Sequence, residues 1–88
     1  MYHLKLSSKA RKFIVKRTPK EQVKLIAIFE ALQENPYNNT LDTKPMKGVT
    51  TNHYRLRFGK YRFIYEVIDN ELLIFVEDGD SRGDIYKK

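Results

Sequence analysis

Residues 2–7 alternate along the chain, with Tyr2, Leu4 and Leu6 on one side and His3, Lys5 and Ser7 on the other. A period of two predicts a half-buried strand. The period then lengthens. Ser7 or Ser8 can cap a short helix in which Ala10, Phe13, Ile14 and Arg17 share one face. Its opposite face carries Lys9, Arg11, Lys12 and Lys16 with no acid among them. Thr18-Pro19-Lys20-Glu21 starts a second helix: threonine caps it, proline suits the first turn, and Glu21 completes a capping box. That helix runs to about Glu34, with Val23, Ile26, Ala27, Phe29 and Leu32 as the expected buried stripe, and Asn35-Pro36 ends it.

Residues 36–51 read as a polar loop containing Pro36, Pro45 and Gly48. Alternation then resumes. In residues 53–58, Tyr54, Leu56 and Phe58 face one way and His53, Arg55 and Arg57 the other. Gly59-Lys60 forms a tight turn into residues 61–68, where Tyr61, Phe63, Tyr65 and Val67 alternate with Arg62, Ile64 and Glu66. Asp69-Asn70 makes the next turn. Residues 72–77 form a third, nearly all-apolar strand that Gly79 is expected to break, and a short extended piece follows around Asp84–Tyr86. The predicted fold is α+β, one domain over residues 1–88, in the order β-α-α-β-β-β(-β). Two N-terminal helices pack on a small twisted antiparallel sheet.

Composition narrows the class. Eighty-eight residues suffice for one two-layer core. With 41% hydrophobic and 12% aromatic residues, the chain has the makings of a folded domain. It contains no cysteine, which excludes disulfides and thiolate metal sites. No apolar run approaches the roughly 20 residues that span a bilayer, and the first residues lack the apolar block of a secretory signal. A cytoplasmic protein without membrane partners is the expectation. The net charge is +6, and most of it lies in residues 1–35, where eight lysines and arginines face only Glu21, Glu30 and Glu34. Such an excess favours polyanion partners, although a solvated helix face has the same composition.

If the helices cover the aromatic face of the hairpin, its other face carries Arg55, Arg57 and Arg62. Three guanidiniums on one small surface repel one another. Arginine is suited to bidentate phosphate binding and stays charged at any working pH. A phosphate clamp and a solvated sheet face with Glu66 as partner both fit that pattern. His3 and His53 are the only histidines, and neither shows an acidic partner at metal spacing in the sequence. The acids show no metal-ligand grouping, so no metal or other cofactor is expected.

The run Tyr54-Arg55-Leu56-Arg57-Phe58-Gly59-Lys60-Tyr61-Arg62-Phe63-Ile64-Tyr65 closely resembles the hairpin signature of RelE/ParE toxins. Upstream, Lys44-Pro45-Met46-Lys47-Gly48 is similar to that superfamily's approach to the hairpin, with Met46 where leucine is usual. Downstream, Arg82-Gly83-Asp84-Ile85-Tyr86 resembles its closing element. The resemblance implies a RelE-type endoribonuclease that needs no metal, acts on mRNA in the ribosomal A site, and is neutralised by a cognate RelB-like antitoxin. Carried over by position, Arg55, Arg57, Arg62, Arg82 and Tyr86 are the catalytic candidates. The first three hold the scissile phosphate, Arg82 assists the leaving oxygen, and Tyr86 takes the 2′-OH proton or orders the base. Lys9, Arg11, Lys12, Lys16, Lys44 and Lys47 are the candidates for RNA and ribosome contact. Ser81 stands where many members have histidine, and Glu77, Asp78 and Asp80 crowd Arg82. Two alternatives stay open: a ParE-like DNA gyrase inhibitor, and an inactive homologue that only binds an antitoxin.

Overall fold

A computed structural model describes residues 1–37, 40–46 and 52–80. The elements follow in the order β1 (His3–Leu6), α1 (Ser8–Val15), α2 (Pro19–Glu34), β2 (Thr43–Pro45), β3 (His53–Phe58), β4 (Tyr61–Ile68) and β5 (Leu73–Asp80). The expected helices form with the expected caps. The Ser7 side chain accepts from the Ala10 N–H at 3.0 Å, and its hydroxyl donates to the Glu77 carbonyl at 2.6 Å, so one residue caps α1 and ties it to β5. Thr18 and Glu21 form both halves of the capping box, each at 3.2 Å.

One sheet holds all five strands in the order β1-β5-β4-β3-β2. The β2–β3, β3–β4 and β4–β5 pairs are antiparallel, while β1 joins the edge parallel to β5, which makes the sheet mixed. The two helices occupy the connection between β1 and β2, at opposite edges of the sheet. Strand β2 arises inside the segment expected to be wholly loop. Gly59, with φ of 58°, takes the first turn position between β3 and β4, where a two-residue hairpin commonly needs a left-handed backbone. After β4 the chain makes a short 3-10 turn, Asp69–Glu71, and Leu72 follows with φ of 49°. The Asp69 carboxylate anchors this turn by accepting from the hydroxyls of Tyr2 and Tyr37.

Alternation on β4 builds the core. Tyr61, Phe63, Tyr65 and Val67 are buried together with Leu56, Ile74 and Val76 and with Ala10, Leu25, Phe29 and Leu32 from the helices. The rings of Phe13 and Phe29 meet Phe63 edge-on at centroid distances of 5.6 and 5.7 Å, a favourable arrangement of ring quadrupoles. The face that α2 buries differs in part from expectation: Phe29 and Leu32 are buried as expected and Leu25 joins them, whereas Val23 and Ile26 are 67% and 56% exposed and Ala27 is exposed too. Apolar residues occur around most of this helix, so periodicity alone does not single out Leu25 over Val23 and Ile26.

Strand β5 also departs from expectation, because it runs through Gly79 to Asp80. Its register against β4 shifts by one residue between Ile64 and Tyr65, leaving Glu77 as an extra residue. Without that bulge, Asp78 would oppose Phe63 and point at the core. With it, Gly79 takes that position. A Cβ on Gly79 would lie 2.8 Å from a Phe13 ring carbon and 2.9 Å from one of Phe63, both in packed rings. The expected extension at Asp84–Tyr86 lies outside the described residues. Gly79→Ala is expected to lower unfolding free energy by about 1–3 kcal/mol, the usual cost of overpacking a core. Chemical denaturation checks this, and an unchanged midpoint would contradict the packing described.

Candidate nucleic-acid interface

Because Leu56 and Phe63 point into the core, their neighbours on β3 and β4 point away from the helices. Register places Arg57 directly opposite Arg62, Arg55 opposite Ile64, and Lys44 of β2 opposite Arg55. The three arginines expected to share a face therefore do, and Lys44 lies on the strand beside them. On the far side of Arg62, β5 brings Asp80 into register. Like charges directly opposite on neighbouring strands cost stability, so the Arg57–Arg62 pair works against folding. Arg57 is partly compensated by Asp42, whose carboxylate lies 3.5 Å from the Arg57 Nε and whose carbonyl accepts from the Arg57 N–H at 2.8 Å.

Arg62 is compensated less. Its Nε is buried and meets no hydrogen-bond acceptor among the described residues. An unsatisfied buried donor costs about 1–3 kcal/mol, and more when it is charged. A ligand oxygen would remove that cost once the side chain turns its Nε toward the surface.

Lys9, Arg11, Lys12 and Lys16 are exposed on α1, as expected. Lys9 also reaches Asp78 at 3.1 Å, so one acid of the 77–80 segment is engaged from the helix side. Arg17, on the buried side of that helix, lies over the rings of Phe13 and Tyr61 at 4.3 and 4.8 Å and serves packing. Lys47, Arg82 and Tyr86 lie outside the described residues.

The hairpin also carries a constellation that spacing did not reveal. His53 was expected to lack an acidic partner, but its Nε2 lies 2.9 Å from a Glu77 carboxylate oxygen and 4.0 Å from one of Glu66. The period-two pattern does place His53 and Glu66 on the arginine face, and the Gly59-Lys60 turn pairs them. Glu77 joins them from β5 at the bulge, which no sequence pattern marks. The acids are thus grouped, contrary to expectation.

Elsewhere, hydrogen bonding and burial tune several groups for structure. The Tyr61 hydroxyl, donating at 2.9 Å, holds the Glu21 carboxyl below its ordinary range. The Tyr2 and Tyr37 hydroxyls do the same for Asp69. Burial pushes the Tyr65 phenol up to about 12. Each shift moves the group's titration further from neutral pH.

A small α+β domain whose exposed sheet face is lined with arginines is the architecture of a RelE-like toxin. The family described as "ParE toxin of type II toxin-antitoxin system, parDE" matches residues 5–84, and the chain belongs to it, within the RelE/ParE superfamily. No curated protein matches the sequence. Among solved structures, the chain is similar to the archaeal RelE–RelB complex from Pyrococcus horikoshii, with 24% identity and a TM-score of 0.81 over 93% of this chain and 96% of that one. It is similar to the RelB–RelE antitoxin–toxin complex from Methanococcus jannaschii, with 26% identity and a TM-score of 0.74 over 93% and 94%. It also resembles the intact E. coli RelBE toxin–antitoxin complex, with 22% identity and a TM-score of 0.74 over 90% and 94%. No helix among the described residues is long and apolar enough to cross a membrane.

The register predicts a separation of binding from folding. Arg57→Gln relieves the repulsion with Arg62 and loses only an exposed ion pair, so stability should change by no more than about 0.5 kcal/mol. Binding of single-stranded RNA should weaken, with the slope of log K against log salt falling by about 0.7 for the lost phosphate contact. A salt titration beside a denaturation curve checks both. An unchanged slope would return Arg57 to a solvated surface role.

Proposed function

We propose that this toxin is a ribosome-dependent endoribonuclease that cleaves mRNA in the A site and is neutralised by a cognate RelB-like antitoxin. The observation that carries the reading is the buried Arg62 Nε, which has no acceptor among the described residues and is set among Arg55 and Arg57 on one sheet face. Phosphate is the ligand whose charge and oxygens answer that arrangement. The solved RelE–RelB complexes similar to this chain support the antitoxin partner. The exposed Val15, Val23 and Ile26 offer an amphipathic antitoxin segment apolar contact on the helices.

In this reading Arg55, Arg57 and Arg62 hold the scissile phosphate. The ribose 2′-OH attacks the phosphorus, its proton passes to Tyr86, and the 5′-oxygen departs with Arg82 stabilising its charge and solvent supplying a proton. Donors fixed in advance are worth most where charge develops, here on the phosphoryl oxygens. The same cations serve the base. A tyrosine ordinarily titrates near 10, and neighbouring positive charge lowers that value by favouring the phenolate. Lys9, Arg11, Lys12, Lys16, Lys44 and Lys47 contribute sequence-independent attraction to RNA.

A second reading has its own support, because the matching family is described by its ParE members. A gyrase-directed toxin needs a protein-binding surface and no phosphate clamp. The two separate in a single experiment. Translating ribosomes are incubated with the protein and mRNA 5′ ends are mapped, with a gyrase supercoiling assay run in parallel. The expected outcome is codon-phased cleavage, reduced by about 10²- to 10³-fold in a folded Arg62→Ala variant, with supercoiling unaffected. Absent cleavage together with inhibited supercoiling would overturn the nuclease reading, and full activity in Arg62→Ala would remove that residue from the clamp.

A further inference from the structure

His53, Glu66 and Glu77 each come from a different strand, β3, β4 and β5, and their ligand atoms lie within 4.8 Å of one another. We propose that this trio is a site for one divalent transition-metal ion of the zinc class, distinct from the arginine clamp and unused in the cleavage proposed above. One imidazole nitrogen and two carboxylate oxygens are a donor set that zinc accepts, with a fourth position left to water. Metal–ligand distances of about 2.0–2.2 Å place tetrahedral donors roughly 3.3–3.5 Å apart. The 2.9 Å between His53 Nε2 and Glu77 has to open slightly, and the 4.0 Å to Glu66 has to close, both within reach of side-chain rotation.

Charge supports the assignment independently of distance. Among the described residues, Glu66 and Glu77 form ion pairs with His53 alone, although three arginines share their sheet face. With His53 neutral, two carboxylates stand side by side without a cation partner among the described residues. Side-chain exposures of 15%, 32% and 34% leave the group shielded yet open to an incoming ion. A 2+ ion would replace the proton that His53 shares with Glu77, cancel both carboxylate charges, and fasten the β5 bulge to the hairpin. It would do so one pleat repeat, about 7 Å, along β3 from Arg55, raising the positive potential of the RNA-facing surface. Magnesium and calcium, which need six or more oxygen ligands or a shell of retained water, fit poorly.

The test uses the full chain, zinc chloride alone, and no RNA or ribosome, so its result is independent of the nuclease reading. Calorimetric titration should give one zinc per chain for the wild type and for His3→Gln, which removes the other histidine. His53→Gln, Glu66→Gln and Glu77→Gln should each bind at least about tenfold more weakly. The unfolding temperature should rise with zinc in the wild type, should rise less in those three near-isosteric variants, and should not respond to equal magnesium. Equal affinity in the three variants, loss of binding in His3→Gln, or no saturable wild-type binding would each overturn the site.

Discussion

Phe63 lies on β4, the central strand, with the rings of Phe13 and Phe29 edge-on against it and Gly79 pressed to its side. That contact joins α1, α2, β4 and β5, and it decides which way the hairpin faces. In a strand, burying one residue exposes both of its neighbours on the opposite surface. With Phe63 held down by aromatic packing, Arg62 is held up, and the register of β3 places Arg57 beside it. The β5 bulge serves the same contact by bringing Gly79 against Phe63 in place of Asp78. A carboxylate at that point would be buried against the Phe13 and Phe63 rings, at a cost of several kcal/mol (or with its proton retained).

The arginine face is therefore built by the core and opposed by electrostatics. Arg57 and Arg62 repel across the ladder, and the buried Arg62 Nε goes unmatched among the described residues. A surface under selection for stability alone has simpler solutions in glutamine or threonine. Retaining guanidiniums there, on a scaffold stiff enough to keep them from splaying apart, is what a preorganised binding site for a polyanion requires. The acids nearby cancel only part of that charge. Asp42 holds Arg57, Lys9 draws Asp78 toward the helix, and His53 engages Glu77.

The architecture was legible in the sequence wherever one period dominated. Residues 53–68 alternate cleanly and contain a glycine at the turn, so both faces of the hairpin and the shared side of Arg55, Arg57 and Arg62 could be read directly. The caps at Ser7 and Thr18 were equally plain. Helix α2 was harder, because Val23, Leu25, Ile26, Ala27, Ile28 and Phe29 offer apolar residues in nearly every direction, and only tertiary packing selects among them. The parallel pairing of β1 with β5 and the bulge at Glu77 are contacts between distant segments, and local pattern does not encode them. That is why the grouping of His53, Glu66 and Glu77 went unseen, although two of its members were already on the correct face. The superfamily was legible from the motif in residues 44–86, and the match over residues 5–84 bears it out.

In the proposed reaction the arginine face positions a phosphodiester for attack by its own 2′-hydroxyl. Single-turnover cleavage on programmed ribosomes, with a 2′-deoxy nucleotide at the cut position, tests it most directly. The deoxy message should bind as the natural one does and should not be cut there. The natural message should yield a 2′,3′-cyclic phosphate or 3′-phosphate and a free 5′-hydroxyl. Cleavage of the deoxy message, or a 5′-phosphate on the downstream product, would mean that water and not the ribose is the nucleophile, and would contradict it.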